Sequence, residues 1–378
     1  MRERRADYGP GVASRVSRPA VRKLAPYVPG KTIEEVQRAL GLERIVKLAS
    51  NENPLGSSPK AMAALRRVDR LHLYLDDAYP ELKEKIAARY GLHAGNVVLG
   101  HGSNELVNIV CEALLESGDE AVMATPTFLL YKLAAVLTGA NAVEVPLREG
   151  VHDVEAMLNA LTPRAKLTIV CDPNNPTGTA LSPAQWRELV ANLPERVTLL
   201  VDQAYREYMG SGTLDAVELV TKRPNTIVLR TMSKIYGLAS LRFGYAFADA
   251  EMIGWLDRVR LPFNISRPAA LGANAALDDE EFVARSLASN AAGKSFVVNR
   301  LQALGLHVYP TEANFYAVEV PGTATRAYDD LLRRGIIVRC GDALGMPGRL
   351  RITIGSEEEN TALIDAFEEC LPAWRTAA

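Results

Sequence analysis

Six short apolar runs recur along the chain: Val97–Leu99, Ala121–Ala124, Leu167–Cys171, Val197–Val201, Thr226–Leu229 and Phe243–Phe247. They are apolar at nearly every position rather than at every second one, which is how strands buried on both faces read. Amphipathic, helix-like segments lie between them, such as Asn104–Leu115, introduced by Ser103, and Pro183–Asn192, introduced by Ser182 at a plausible N-cap. Strands alternating with helices predict an α/β fold built on a mainly parallel sheet.

After Pro268 the pattern changes. One long helical stretch, Ala269–Leu304, is followed by three strand candidates, Leu306–Tyr309, Phe315–Glu319 and Leu350–Ile354, which fits a smaller α+β domain. A chain of 378 residues is too long for one ordinary core, so two domains are expected. Residues 1–17 are polar, contain Gly9, Pro10 and Gly11, and read as a flexible arm. The expected division is that arm, a segment 18–45 packing with the small domain, a large domain 46–275 and a small C-terminal domain 276–378.

Composition closes off several functions. With 48% hydrophobic and 23% charged residues the chain is globular, and a net charge of -2 offers no field for a nucleic acid. No run approaches the length of a membrane span, and the Arg-rich start lacks the apolar stretch of a secretory signal. Cys111, Cys171, Cys340 and Cys370 are far apart and mostly inside apolar runs, as expected of buried free thiols in the cytoplasm. No metal is called for.

In open α/β sheets ligands bind beyond the carboxyl ends of the strands, so the polar groups that follow the apolar runs matter most. Asp172-Pro-Asn-Asn-Pro-Thr-Gly178 follows the third run, Asp202-Gln-Ala-Tyr205 the fourth and Thr231-Met-Ser-Lys234 the fifth. Each alone has an ordinary explanation. Pro, Asn and Gly form turns, Asp202 could cap a helix, and Lys234 and Arg242 could be surface charges.

Together they form Asn-Pro-Thr-Gly, Asp-x-Ala-Tyr and Ser-Lys-x-x-Gly-Leu-x-x-x-Arg, in that order, and the chain thereby resembles the class I/II aminotransferases of fold type I, enzymes dependent on pyridoxal 5′-phosphate (PLP). The resemblance runs from about Leu24 to the C-terminal region. It implies a large domain with a mainly parallel seven-stranded sheet flanked by helices, a smaller α+β domain, and PLP as cofactor. Lys234 is then the amine that holds the cofactor's aldehyde as a Schiff base and moves the proton between substrate and cofactor. Asp202 matches the anion that keeps the pyridine nitrogen protonated, and Asn175 and Tyr205 match the donors to the ring's phenolate oxygen. Gly102, Ser103 and Asn104, opening a helix, suit the phosphate, with Arg242, Ser233 and Thr231 completing its cup. Phe128 matches the aromatic residue stacked on the ring. Tyr74 matches a tyrosine that reaches the neighbouring subunit's cofactor, which implies a homodimer with shared sites. The family's Asp-Glu-Ala-Tyr carries Gln203 here, and its Arg-Tyr-Pro reads Leu73-Tyr74-Leu75.

Leu24-Ala-Pro-Tyr27-Val-Pro-Gly30, Leu48–Gly56 and Ser233–Ala239 look like the histidinol-phosphate aminotransferase branch. In that branch Tyr27, Arg339 and Arg351 occupy the positions that grip the substrate's anionic end, and Asn314 lies near them. The implied partners are a small-molecule amino donor and a 2-oxo acid acceptor. Histidinol phosphate with 2-oxoglutarate is the first expectation. An aromatic amino acid is the alternative, and a lyase or decarboxylase of the same fold a more distant one.

Overall fold

The structure, a computed structural model, describes residues 16–22, 24 and 30–376. Helix α1 (Ile33–Leu40), capped by the Thr32 hydroxyl, leads into the two-residue strand β1 (Val46–Lys47). A seven-stranded sheet then builds from β2 (Val97–Gly100), β3 (Glu120–Thr125), β4 (Asn141–Pro146), β5 (Ala165–Cys171), β6 (Thr198–Asp202), β7 (Thr226–Thr231) and β8 (Gly244–Phe247). Its order is β2-β8-β7-β6-β5-β3-β4. All pairings are parallel except those of β8 with β2 and β7.

Alternate residues of the central strands enter separate apolar layers. Leu199, Val201 and Val228 face one, and Leu200, Ile227 and Leu229 face the other, so the sheet is covered on both sides. This double burial is why the runs are apolar throughout. Helices α2 (Gly102–Leu114) and α3 (Leu130–Thr138) pack on the second face, and α4 (Pro183–Asn192), with Ser182 and Gln185 in a reciprocal capping box, puts Trp186 and Leu189 into the first.

The remaining chain carries α5 (Arg267–Ala276), α6 (Glu280–Ala303), β9 (Phe315–Glu319), α7 (Ala324–Arg333), β10 (Ile336–Ile337), β11 (Arg339–Cys340), β12 (Arg349–Thr353) and α8 (Glu357–Arg375). Strands β11, β12 and β9 form an antiparallel sheet with β12 in the middle, and β10 pairs in parallel with β1. A second core gathers here from Val46, Leu48, Val318, Ile352, Phe367 and Trp374, among others. Helix α6 serves both cores: Val283 and Leu287 pack against the first, Val297 and Leu301 lie in the second.

Three expectations need correction. The single helix expected over Ala269–Leu304 is two, α5 and α6, because Asp279 at the break is held by Ser58 Oγ at 2.5 Å and by the Lys60 N–H at 3.1 Å. The strand expected at Leu306–Tyr309 is reduced to one bridge, Val308 to Val318. Helix α2 starts at Gly102, with His101 rather than Ser103 at the cap position.

Candidate active site

Parallel neighbours end at the same edge of a sheet, so the residues after β5, β6 and β7 converge. Cys171 of β5 is in register with Asp202 at the end of β6, and β7 delivers Thr231, Ser233 and Lys234 alongside. They open onto a cavity of about 630 Å³ whose lining includes Ser103, Asn104, Phe128, Asn175, Asp202, Tyr205, Thr231, Ser233, Lys234, Arg242, Arg339 and Arg351. Twelve positions expected from the sequence thus share one cavity.

Lys234 Nζ donates to the Ser50 carbonyl at 3.1 Å and stands 5.6 Å from the centre of the Tyr205 ring. Burial, and then the positive charge of Arg351, lower its pKa to about 8, so far more of it is neutral near neutral pH than of a solvated lysine. Asp202 is 3% exposed and accepts from Tyr131 Oη at 2.8 Å and from the Ala204 N–H at 3.0 Å. Burial still pushes its carboxyl up, against those bonds and the charges of Arg230 and Lys234. A buried carboxylate in that condition gains most from a further cationic partner.

At the other end of the cavity, Gly102 begins α2 with φ 75, and a Cβ there would lie 2.4 Å from Arg242 Nη2. Glycine is required for that approach. Arg242 Nη1 donates to the Ala239 carbonyl at 2.9 Å and reaches Ser233 Oγ at 3.5 Å, while Thr231 Oγ1 donates to Ser233 Oγ at 2.9 Å. Two hydroxyls, a guanidinium and a helix N-terminus make a ready anion cradle.

Two arginines on strands β11 and β12 also line the cavity. Arg339 and Arg351 are directly opposite each other in the β11–β12 register. Arg351 Nη1 donates to Asn175 Oδ1 at 2.7 Å and Nη2 to the Ala49 carbonyl at 2.5 Å. The acceptor of the Asn175 amide is thereby engaged, and its NH₂ is what it has to offer the cavity.

Among the described residues, three expected ones do not line the cavity. Gly102 touches it only by admitting Arg242. Asn314, 1% exposed, donates to the Asn51 and Glu52 carbonyls at 3.1 and 3.4 Å and so braces the stretch that lines the cavity. Tyr74 is 80% exposed and its ring is stacked on Phe263 at 4.4 Å. Tyr27 lies outside the described residues. Sequence reasoning missed Tyr131, which looks like any core tyrosine of an apolar helix until its hydroxyl is found on Asp202. It also missed Asn51, whose amide bonds the Tyr205 hydroxyl at 2.9 Å.

The parallel sheet, the strand-end lysine and aspartate and the anion cradle together define a PLP-dependent enzyme of the aminotransferase type. The chain belongs to the family described as "Aminotransferase class I and II", whose profile matches residues 43–367. Among curated relatives, the histidinol-phosphate aminotransferase of Moorella thermoacetica is 44% identical over 94% of this chain and 92% of its own length. That of Halalkalibacterium halodurans is 41% identical over 94% and 96%. Among solved structures, the histidinol-phosphate aminotransferase of Sinorhizobium meliloti in complex with pyridoxal-5′-phosphate superposes with a TM-score of 0.85 at 27% identity, covering 94% of this chain and 97% of that one. The cofactor is PLP, and the residues present fit it: an amine of lowered pKa, a buried carboxylate suited to a cation, and a cradle that any Cβ at position 102 would fill.

Proposed function

We propose that the chain transfers an amino group reversibly between histidinol phosphate and 2-oxoglutarate. The observation that carries the substrate is the pair Arg339 and Arg351, opposite each other on adjacent strands and lining the cavity that Lys234 enters. Like charges directly across a strand pair repel, and a dianionic phosphate between them reverses the sign. A single carboxylate needs only one such fork. The names of the curated relatives point the same way.

Bound PLP supplies an electrophilic aldehyde and an electron sink for the carbon that loses its proton. With the cofactor bound, Lys234 would hold its aldehyde, and its amine would move the proton at the substrate carbon. Asp202, fixed by Tyr131 and Ala204, would keep the pyridine nitrogen protonated. Asn175 and Tyr205 would donate to the phenolate oxygen. Ser103, Asn104, Thr231, Ser233 and Arg242 would bind the cofactor's phosphate, and Phe128 would pack on the ring.

We further propose a homodimer in which Tyr74 reaches the neighbouring subunit's site. Leu71, Tyr74, Leu261 and Phe263 leave apolar surface exposed, and Leu261 belongs to a shallow cavity that Asn104 and Arg242 also line. The test of the substrate is kcat/KM for histidinol phosphate against phenylalanine with 2-oxoglutarate as acceptor. Histidinol phosphate is expected to win by at least about tenfold. A preference for phenylalanine would overturn the proposal.

A further inference from the structure

The stretch Ala49–Glu52 runs between the two walls of the cavity and is bonded to both. Its carbonyls accept from Arg351 at Ala49, from Lys234 at Ser50 and from Asn314 at Asn51 and Glu52. Asn51 is 1% exposed and takes φ 54, in the left-handed region where asparagine is one of the few tolerated side chains. Its amide bridges two hydroxyls: Nδ2 donates to Tyr205 Oη at 2.9 Å, and Oδ1 accepts from Thr353 Oγ1 at 3.2 Å.

Which way this amide faces follows from Thr353. The Thr353 oxygen accepts the Asn51 backbone N–H at 2.9 Å, and its own proton needs an acceptor, which Asn51 Oδ1 provides. The nitrogen end is therefore left for Tyr205. An amide nitrogen can only donate, so the Tyr205 oxygen must accept, and the phenolic proton is turned away from Asn51. Tyr205 lines the same cavity as Lys234, and that is where the proton has room to point.

We propose that Asn51 is a positioning residue that sets the direction of the Tyr205 hydroxyl, so that Tyr205 donates its proton to the cofactor's phenolate oxygen. Accepting a bond from Asn51 also strengthens Tyr205 as a donor, because hydrogen bonds in a chain polarise one another. The inference rests on the reading of Tyr205 as a phenolate partner. It goes beyond it by naming the group that gives Tyr205 its polarity.

Two variants separate polarity from shape. Asn51→Gly deletes the amide at a backbone conformation that glycine adopts freely. Asn51→Asp keeps the shape and tolerates the same φ, but its carboxylate only accepts and draws the Tyr205 proton toward itself. The readout is a pH titration of the holoenzyme's visible spectrum, which reports the pKa of the lysine–cofactor linkage. A donor on the phenolate competes with the linkage's own proton for the oxygen, so losing that donor lets the linkage keep its proton to higher pH. Asn51→Asp should raise this pKa by about one unit, and Asn51→Gly by about half as much. In a Tyr205→Phe background Asn51→Gly should add nothing beyond a few tenths of a unit, roughly the scatter of additive pairs.

An unchanged pKa in Asn51→Gly, an equal shift with and without the Tyr205 hydroxyl, or a smaller shift in Asn51→Asp than in Asn51→Gly would each overturn the proposal. Should Asn51→Asp fail to fold, the cycle of Asn51→Gly with Tyr205→Phe decides alone. If instead the cofactor reading of Tyr205 is wrong, Tyr205→Phe itself leaves the pKa unmoved.

Discussion

The two walls of the cavity are built on different frames. One carries Asp202, Thr231, Ser233 and Lys234 at the ends of five- and six-residue strands, each paired on both sides and buried along its length. The other carries Arg339 on a two-residue edge strand and Arg351 on the middle strand of a three-stranded sheet, beside the turn Ala343–Gly345 that also lines the cavity. The groups proposed to hold the cofactor sit where the backbone has least freedom. Of the two arginines proposed to select the substrate, Arg339 sits on an edge strand, where replacement disturbs fewer ladders than on the doubly paired strand of Arg351. Substitutions on the two walls should therefore separate cofactor chemistry from substrate choice.

The largest effect is expected on the first wall. Asp202→Asn should retain the cofactor's visible spectrum while lowering kcat by roughly 10²- to 10⁴-fold, the usual range for losing a charge that supports proton transfer. A kcat within about tenfold of wild type would remove Asp202 from its assigned place. On the second wall, Arg339→Ala should lower kcat/KM for histidinol phosphate by about 10²-fold with the spectrum unchanged. Loss of the spectrum in that variant would break the division between the walls.

The lowered pKa of Lys234 gives a pH test of the first wall. Covalent capture of the cofactor's aldehyde needs a neutral amine, so the capture rate of the cofactor-free protein should rise about tenfold per pH unit and level off above about 8. A rate still rising toward the ordinary lysine value would show that burial does not act on the amine as described.

The smallest effect concerns the loop that carries Asn175 between the walls. Asp172 is buried and accepts from the Leu181 N–H and from Trp186 Nε1, both at 2.9 Å, and burial pushes its carboxyl up to about 6. A raised carboxyl contributes stability that is fully present below its unfolded value and is lost as pH rises through the folded one. Acidification from about pH 7.5 to about pH 5 should therefore favour the wild type relative to Asp172→Asn by about 1–1.5 kcal/mol in urea unfolding. Parallel behaviour of the two proteins would exclude the effect.

What could be read in the sequence follows the same contrast. The central strands were legible because both faces are buried, and Asp202 and Lys234 were legible because they follow those strands directly. Strand β4 escaped because it is the sheet's edge, with Asn141, Glu144 and Pro146 interrupting its pattern. Strands β1, β10 and β11 have two residues each, too few to carry any period, and their pairing is imposed by the surrounding core. The break at Asp279 was hidden because helical periodicity continues through it and tertiary bonds from Ser58 and Lys60 decide the matter. Tyr131 acts through Asp202, distant in sequence, and nothing local marks it, while Asn51 lies in the motif Leu48–Gly56 but its bond to Tyr205 depends on a partner far along the chain.

The central claim is that one lysine among those in the chain carries the cofactor. Reduction of the holoenzyme with borohydride fixes the linkage permanently, and peptide mapping by mass spectrometry then locates it. The account predicts the pyridoxyl label on the peptide containing Lys234 and its loss in Lys234→Ala. A label on any other lysine of the wild-type enzyme, or a covalently held label surviving in Lys234→Ala, would contradict it.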